Sequence, residues 1–148
     1  MDLVQADALA ELLHRDQVDK AGKPYIDHPR AVAESARQKG LPDHVVMVAL
    51  LHDVVEDCDV NLGDLAGEQV PGAVLEAIDA ISRRDDEKYA DYIRRVAENP
   101  MAKQVKILDL QHNLSPSRQA DLPEDEQRSL AKRYNRSLAY LVDGWDVL

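Results

Sequence analysis

Four titratable side chains interrupt an otherwise apolar run in Val48-Ala49-Leu50-Leu51-His52-Asp53-Val54-Val55-Glu56-Asp57. On a helix His52 and Glu56 stand four residues apart, as do Asp53 and Asp57, so each pair shares a face and the four form one adjoining patch. An imidazole beside a carboxylate can share one metal ion, and Glu56 and Asp57, a turn further on, can address a water next to it. Charges on a helix usually form a solvated face. Here the continuously apolar residues from Met47 to Leu51 argue for a buried helix whose charges need partners.

Two further segments supply matching chemistry. In Tyr25-Ile26-Asp27-His28-Pro29 the proline is expected to hold His28 extended at the start of a helix, although alone it reads more readily as a capping or surface histidine. In Val105–Asn113 another apolar helix carries Asp109 and Asn113 one turn apart, with Lys106 one turn earlier. Together His28, His52, Asp53 and Asp109 make a nitrogen and oxygen donor set without thiolate, which suits Mn²⁺ or Fe²⁺ with waters in an octahedral shell better than structural zinc. Such an ion acidifies a water and binds a phosphoryl oxygen, the two requirements of phosphate-ester hydrolysis.

The elements that must position these residues are all helical. Apolar residues recur at helical spacing, as in Leu3, Ala6, Leu9 and Leu13, and strand-like alternation is hard to find, so the expected fold is all-α, a single compact domain over 1–148. Breaks at Asp19–Pro29, Gly40-Leu41-Pro42, Val60–Pro71, Asn99-Pro100 and Ser115–Pro123 place helices near 2–15, 29–39, 43–57, 72–82, 86–98, 101–114 and 124–143, with a short turn near 62–67. Asp43 is expected to cap the helix after Pro42, and Gly40 to end the one before it. Trp145 reads as a packing anchor, and Tyr89 and Tyr92 as core or interface residues.

A net charge of −10 excludes a broad nucleic-acid footprint and means that local cations must offset long-range repulsion of an anionic substrate. The cations available are Lys20, Lys23, Arg83, Arg84, Lys103, Lys106 and Arg118, each of which also reads as a solvated surface charge. No stretch reaches the roughly 18 apolar residues of a membrane span, and the acidic N-terminus does not look like a signal peptide. The single Cys58 fits a reducing, cytoplasmic setting. Leu130, Leu138, Leu141 and Val142 either close the core or face a second subunit; periodicity does not separate the two.

The order His28, His52-Asp53, Asp109 resembles the H…HD…D signature of the HD phosphohydrolase superfamily, whose members are helical and metal-dependent. The likeness extends to His14-x-x-Gln17, Gly22-Lys23-Pro24-Tyr25-Ile26-x-His28-Pro29, Ala49–Asp57 and Val105-Lys106-x-x-Asp109-Leu110-x-His112-Asn113. These segments are similar to the hydrolase domain of RelA/SpoT homologues and to small stand-alone alarmone hydrolases. The resemblance implies a helical bundle that removes the 3′-pyrophosphate of (p)ppGpp with Mn²⁺ and a metal-activated water. It makes His28, His52, Asp53 and Asp109 the ligands, Glu56 and Asp57 the residues that position or deprotonate the water, and Lys20 and Asn113 nucleotide contacts. No synthetase segment is present, so hydrolysis alone is expected. Two positions depart from the pattern: Asp19 stands where an arginine usually packs on guanine, and Leu114-Ser115-Pro116 replaces Met-Arg-Thr. They leave open hydrolysis of another phosphorylated nucleotide, or a non-catalytic nucleotide-binding module.

Overall fold

The computed structural model describes residues 1–148 as ten helices: α1 (Leu3–His14), α2 (Asp27–Gln38), α3 (Asp43–Leu51), α4 (Val54–Asp57), α5 (Leu62–Gly67), α6 (Gly72–Ile81), α7 (Tyr89–Ala97), α8 (Pro100–Asn113), α9 (Pro116–Gln119) and α10 (Glu124–Asp143). The expected all-α fold is what forms. The one strand-like feature is an isolated bridge between Val18 and Pro24. No helix is long and apolar enough to cross a membrane.

Helix α3 organises the rest. Val45 to Leu51 are all apolar and at most 3 % exposed. A helix without a polar face must be surrounded, and α3 is packed by α1, α2, α6 and α8. The resulting core of 28 buried apolar residues runs from Ala6 to Leu141 and fixes α8, which carries Asp109, and the end of α3, which His52 follows.

Local signals explain most boundaries. Asp2 and Gln5 form a capping box on α1, and Asn99 caps α8 with Pro100 in its first turn, where the missing amide costs no bond. Gly40 adopts φ 70, and the Leu41 amide reaches back to the Ala36 carbonyl, closing α2 in the left-handed manner that glycine permits. Three expectations are corrected. Asp43 is the first helical residue and caps nothing; Pro42 holds the cap position. Helix α2 begins at Asp27, because Pro29 falls within a first turn whose amides need no helical partner, so His28 is helical rather than extended. Trp145 is 68 % exposed and anchors nothing, since Gly144 at φ 73 ends α10 and leaves the indole in solvent.

The α6–α7 corner depends on Arg95. Its guanidinium grips Glu87 through two bonds of 2.7 and 2.8 Å and donates to the carbonyls of Ala80 and Ser82 at 3.0 and 2.9 Å. Arg95→Ala is expected to destabilise the fold by about 2–3 kcal/mol, the scale of charge-assisted bonds lost with their acceptors left behind. Hydrogen bonding to Arg95 depresses Glu87 to about 2. A carboxyl depressed on folding contributes stability above its ordinary pKa and loses it as pH falls through the folded one. The gap between the urea midpoints of wild type and Arg95→Ala should therefore narrow as pH falls from 4.5 towards 2, leaving the part due to the carbonyl bonds.

Candidate metal centre and pocket

Helix geometry does not carry through the His-Asp pair. The expected helix 43–57 breaks there: His52, at φ −63 and ψ −25, ends α3, and Asp53, at φ −100 and ψ −7, precedes α4. Adjacent residues on a regular helix point about 100° apart; the break lets His52 Nε2 and Asp53 Oδ2 meet at 3.2 Å.

Three of the four expected ligands, His28, His52 and Asp109, converge on one point, and Asp53 stands beside the two imidazoles rather than within that cluster. His28 Nε2, from the first turn of α2, lies 2.7 Å from Asp109 Oδ1 on α8 and 3.9 Å from Asp53 Oδ2. His52 Nε2 lies 3.3 Å from Asp109 Oδ1. His28 and His52 are each 2 % exposed and Asp109 is 4 % exposed. Donor atoms of His28, His52 and Asp109 all fall within 4.8 Å of one another. Adjacent donors around a small octahedral dication stand about 3 Å apart, so these spacings suit such an ion.

The electrostatics favour a cation at this point. His52 Nδ1 donates to the Ala49 carbonyl at 2.6 Å, which leaves Nε2 facing two carboxylates. Burial opposes a charge on His52, but Asp53 and Asp109 outweigh it and raise the imidazole to about 9. A proton or a cation between these groups balances the two carboxylates, and the nitrogen and oxygen donors fit a divalent ion.

Surrounding residues orient the set. The Tyr25 hydroxyl donates to Asp53 Oδ2 at 2.8 Å, and burial together with Asp53 pushes this phenol well above its usual range, so it remains a donor. Lys106 Nζ meets Asp109 Oδ2 at 2.9 Å, and Asn113 Nδ2 donates to Asp109 Oδ1 at 3.4 Å. His28 Nδ1 is 2.7 Å from His112 Nδ1. Tyr25→Phe is expected to weaken metal binding about 10- to 100-fold, as is usual when a ligand's orienting bond is lost; Mn²⁺ titration of the metal-free protein measures it.

Glu56 and Asp57 follow on α4, where solvent reaches both. Burial of part of each carboxyl nonetheless raises its pKa, and in Glu56 this is partly offset by the Arg83 backbone N–H, which donates to Oε1. A cavity of about 560 Å³ opens beside His28, lined among others by Asp19, Lys20, His112, Asn113 and Arg118. Lys20 sits on its wall paired with Glu126. The roles of Tyr25 and His112 were not evident in the sequence. His112 lies one turn from Asp109, a spacing that could have placed it on the same face.

A sequence model of the HD domain family matches residues 6–135. This chain belongs to the HD domain family. A guanosine-3′,5′-bis(diphosphate) 3′-pyrophosphohydrolase of Vibrio cholerae is 39 % identical over 97 residues, 66 % of this chain and 14 % of that protein. The bifunctional (p)ppGpp synthase/hydrolase SpoT of Escherichia coli is 32 % identical over 142 residues, covering 88 % of this chain and 20 % of SpoT. The HD-domain chain thus spans a fifth or less of the length of these relatives. A solved structure described as a metazoan orthologue of SpoT that hydrolyses ppGpp superposes with a TM-score of 0.76 at 25 % identity, over 95 % of this chain and 85 % of that one. The HD-domain chain therefore shares its architecture with a protein of nearly its own size.

Proposed function

We propose that this HD-domain protein is a metal-dependent phosphohydrolase that removes the 3′-pyrophosphate of (p)ppGpp-type nucleotides, with Mn²⁺ held by His28, His52, Asp53 and Asp109. The observation that carries this reading is the convergence of two buried imidazoles and the buried Asp109, with Asp53 3.2 Å from His52, beside a cavity of about 560 Å³. Relatives named as ppGpp 3′-pyrophosphohydrolases, and a fold shared nearly end to end with a ppGpp hydrolase, support the substrate class. The single free cysteine fits a cytoplasmic setting, and residues 1–148 act as one domain.

When bound, the ion supplies a positive charge that polarises a phosphoryl oxygen and acidifies a water. Glu56 and Asp57 would position that water, and Glu56 would accept its proton. The water oxygen bonds to the phosphorus attached to the ribose 3′-oxygen, the bond between that phosphorus and the 3′-oxygen breaks, and the 3′-oxygen takes up a proton. From ppGpp the products are GDP and pyrophosphate. Asn113, fixed against Asp109, and Lys20, which exchanges Glu126 for a substrate anion, contact the nucleotide.

Incubating the Mn²⁺-loaded protein with ppGpp and separating products by ion exchange tests the reading. GDP and pyrophosphate are expected, and a chelator should abolish both. Tight binding with ppGpp returned intact would replace the hydrolase with a nucleotide-binding module.

A further inference from the structure

Three cations line the cavity, Lys20, Lys23 and Arg118, and only the last carries a guanidinium. Lys106 is committed to Asp109 and Lys20 to Glu126. Arg118, on the short helix α9, is different: its side chain is 23 % exposed, lines the cavity, and is held by one hydrogen bond, from Nη2 to Asn113 Oδ1 at 3.1 Å. Asn113 in turn donates to Asp109 Oδ1, so the guanidinium stands two hydrogen bonds from the proposed metal centre. Its Nη1 faces Asp19 Oδ2 at 3.8 Å, close enough to share charge but too far for a hydrogen bond.

Asp19 is itself fixed. Its Oδ1 accepts the amides of Ala21 and Lys23 at 2.9 Å each, closing the loop that Gly22 turns at φ 81, and Oδ2 is left facing Arg118. The loop and α9 thus present an acid and a guanidinium on the same cavity, with four of the five guanidinium donors free of any hydrogen bond.

We infer that Arg118 grips a phosphate of the nucleotide other than the one cleaved, and that Asp19 competes for the same guanidinium; this rests on the hydrolase reading above. A planar guanidinium binds phosphate through paired bonds that lysine cannot make. In a chain of net charge −10, a local cation beside the reacting centre offsets repulsion where it matters most. Asp19 neutralises Arg118 when no ligand is present and yields it to a stronger anion.

The test measures kcat and KM for ppGpp with the Mn²⁺-loaded protein, beside calorimetric binding of GDP, which retains the 5′-diphosphate. Arg118→Ala should raise KM and weaken GDP binding about 10- to 100-fold, the scale of a lost charge-assisted bond, with kcat changed less than threefold. Arg118→Lys should fall between. Asp19→Asn keeps the loop's hydrogen bonds and should lower KM. Unchanged KM and GDP affinity in Arg118→Ala overturns the inference, as does Asp19→Asn raising KM as Arg118→Ala does. If wild type binds GDP without turning over ppGpp, the hydrolase reading fails while the Arg118 effect on binding still decides the inference. Wild type that binds neither nucleotide overturns both.

Discussion

Asp109→Ala is expected to destabilise the fold by about 3–5 kcal/mol and to abolish metal binding in the same step. Lys106 is 13 % exposed at its side chain and meets Asp109 Oδ2 at 2.9 Å. Burial works against the lysine's charge, but Asp109 holds its pKa well above the usual value. Asp109 shows the complementary behaviour: burial opposes its charge, while Lys106, His28 and His52 hold it well below the carboxylate range. Removing one partner of a buried pair leaves the other uncompensated, which is costlier than the pair itself was worth. A double replacement, Lys106→Met with Asp109→Leu, should accordingly recover the part of the stability lost to the unpaired lysine while binding no metal. Urea midpoints followed by circular dichroism, with Mn²⁺ titration, separate the two effects; an Asp109→Ala protein of wild-type midpoint would refute the argument.

Glu56→Gln should do the opposite, leaving stability within about 0.5 kcal/mol and metal binding intact while lowering kcat about 10²- to 10⁴-fold. The backbone N–H of Arg83 donates to Glu56 Oε1 and fixes the carboxylate. Burial raises the Glu56 pKa despite that bond, bringing a general base nearer its working pH. Because the base must be ionised, activity falls as pH drops through this raised value, so the acid limb of the kcat profile should lie above the ordinary glutamate value and be lost in Glu56→Gln. A variant with full kcat would move the proton-accepting role to Asp57.

Much of this was legible in the sequence, and the exceptions share a cause. The continuously apolar Met47–Leu51 announced a buried helix because an unbroken apolar run leaves no face for water. His52-Asp53, His28 and Asp109 stood out as polar groups inside apolar segments. The break at His52-Asp53 stayed hidden, since no glycine or proline marks it and the interruption serves the packing of two neighbouring side chains on one point. His28 in a helical turn was missed because the bias of a residue before proline yields to tertiary contacts with Asp109 and His112. The pairing of Asp19 with Arg118 joins positions 99 apart in the chain, and local pattern carries no information on such contacts. Asp19, read as a departure from a pattern, becomes intelligible only with Arg118 opposite it.

The central claim, that His28, His52, Asp53 and Asp109 hold the ion on which hydrolysis depends, is tested most directly by titrating Mn²⁺ into metal-free protein while following ppGpp turnover. Activity should rise to a plateau at one equivalent of tightly bound ion, and Asp53→Ala should show neither the binding nor the turnover. Turnover that persists in Asp53→Ala, or that proceeds in the metal-free protein, would contradict the account.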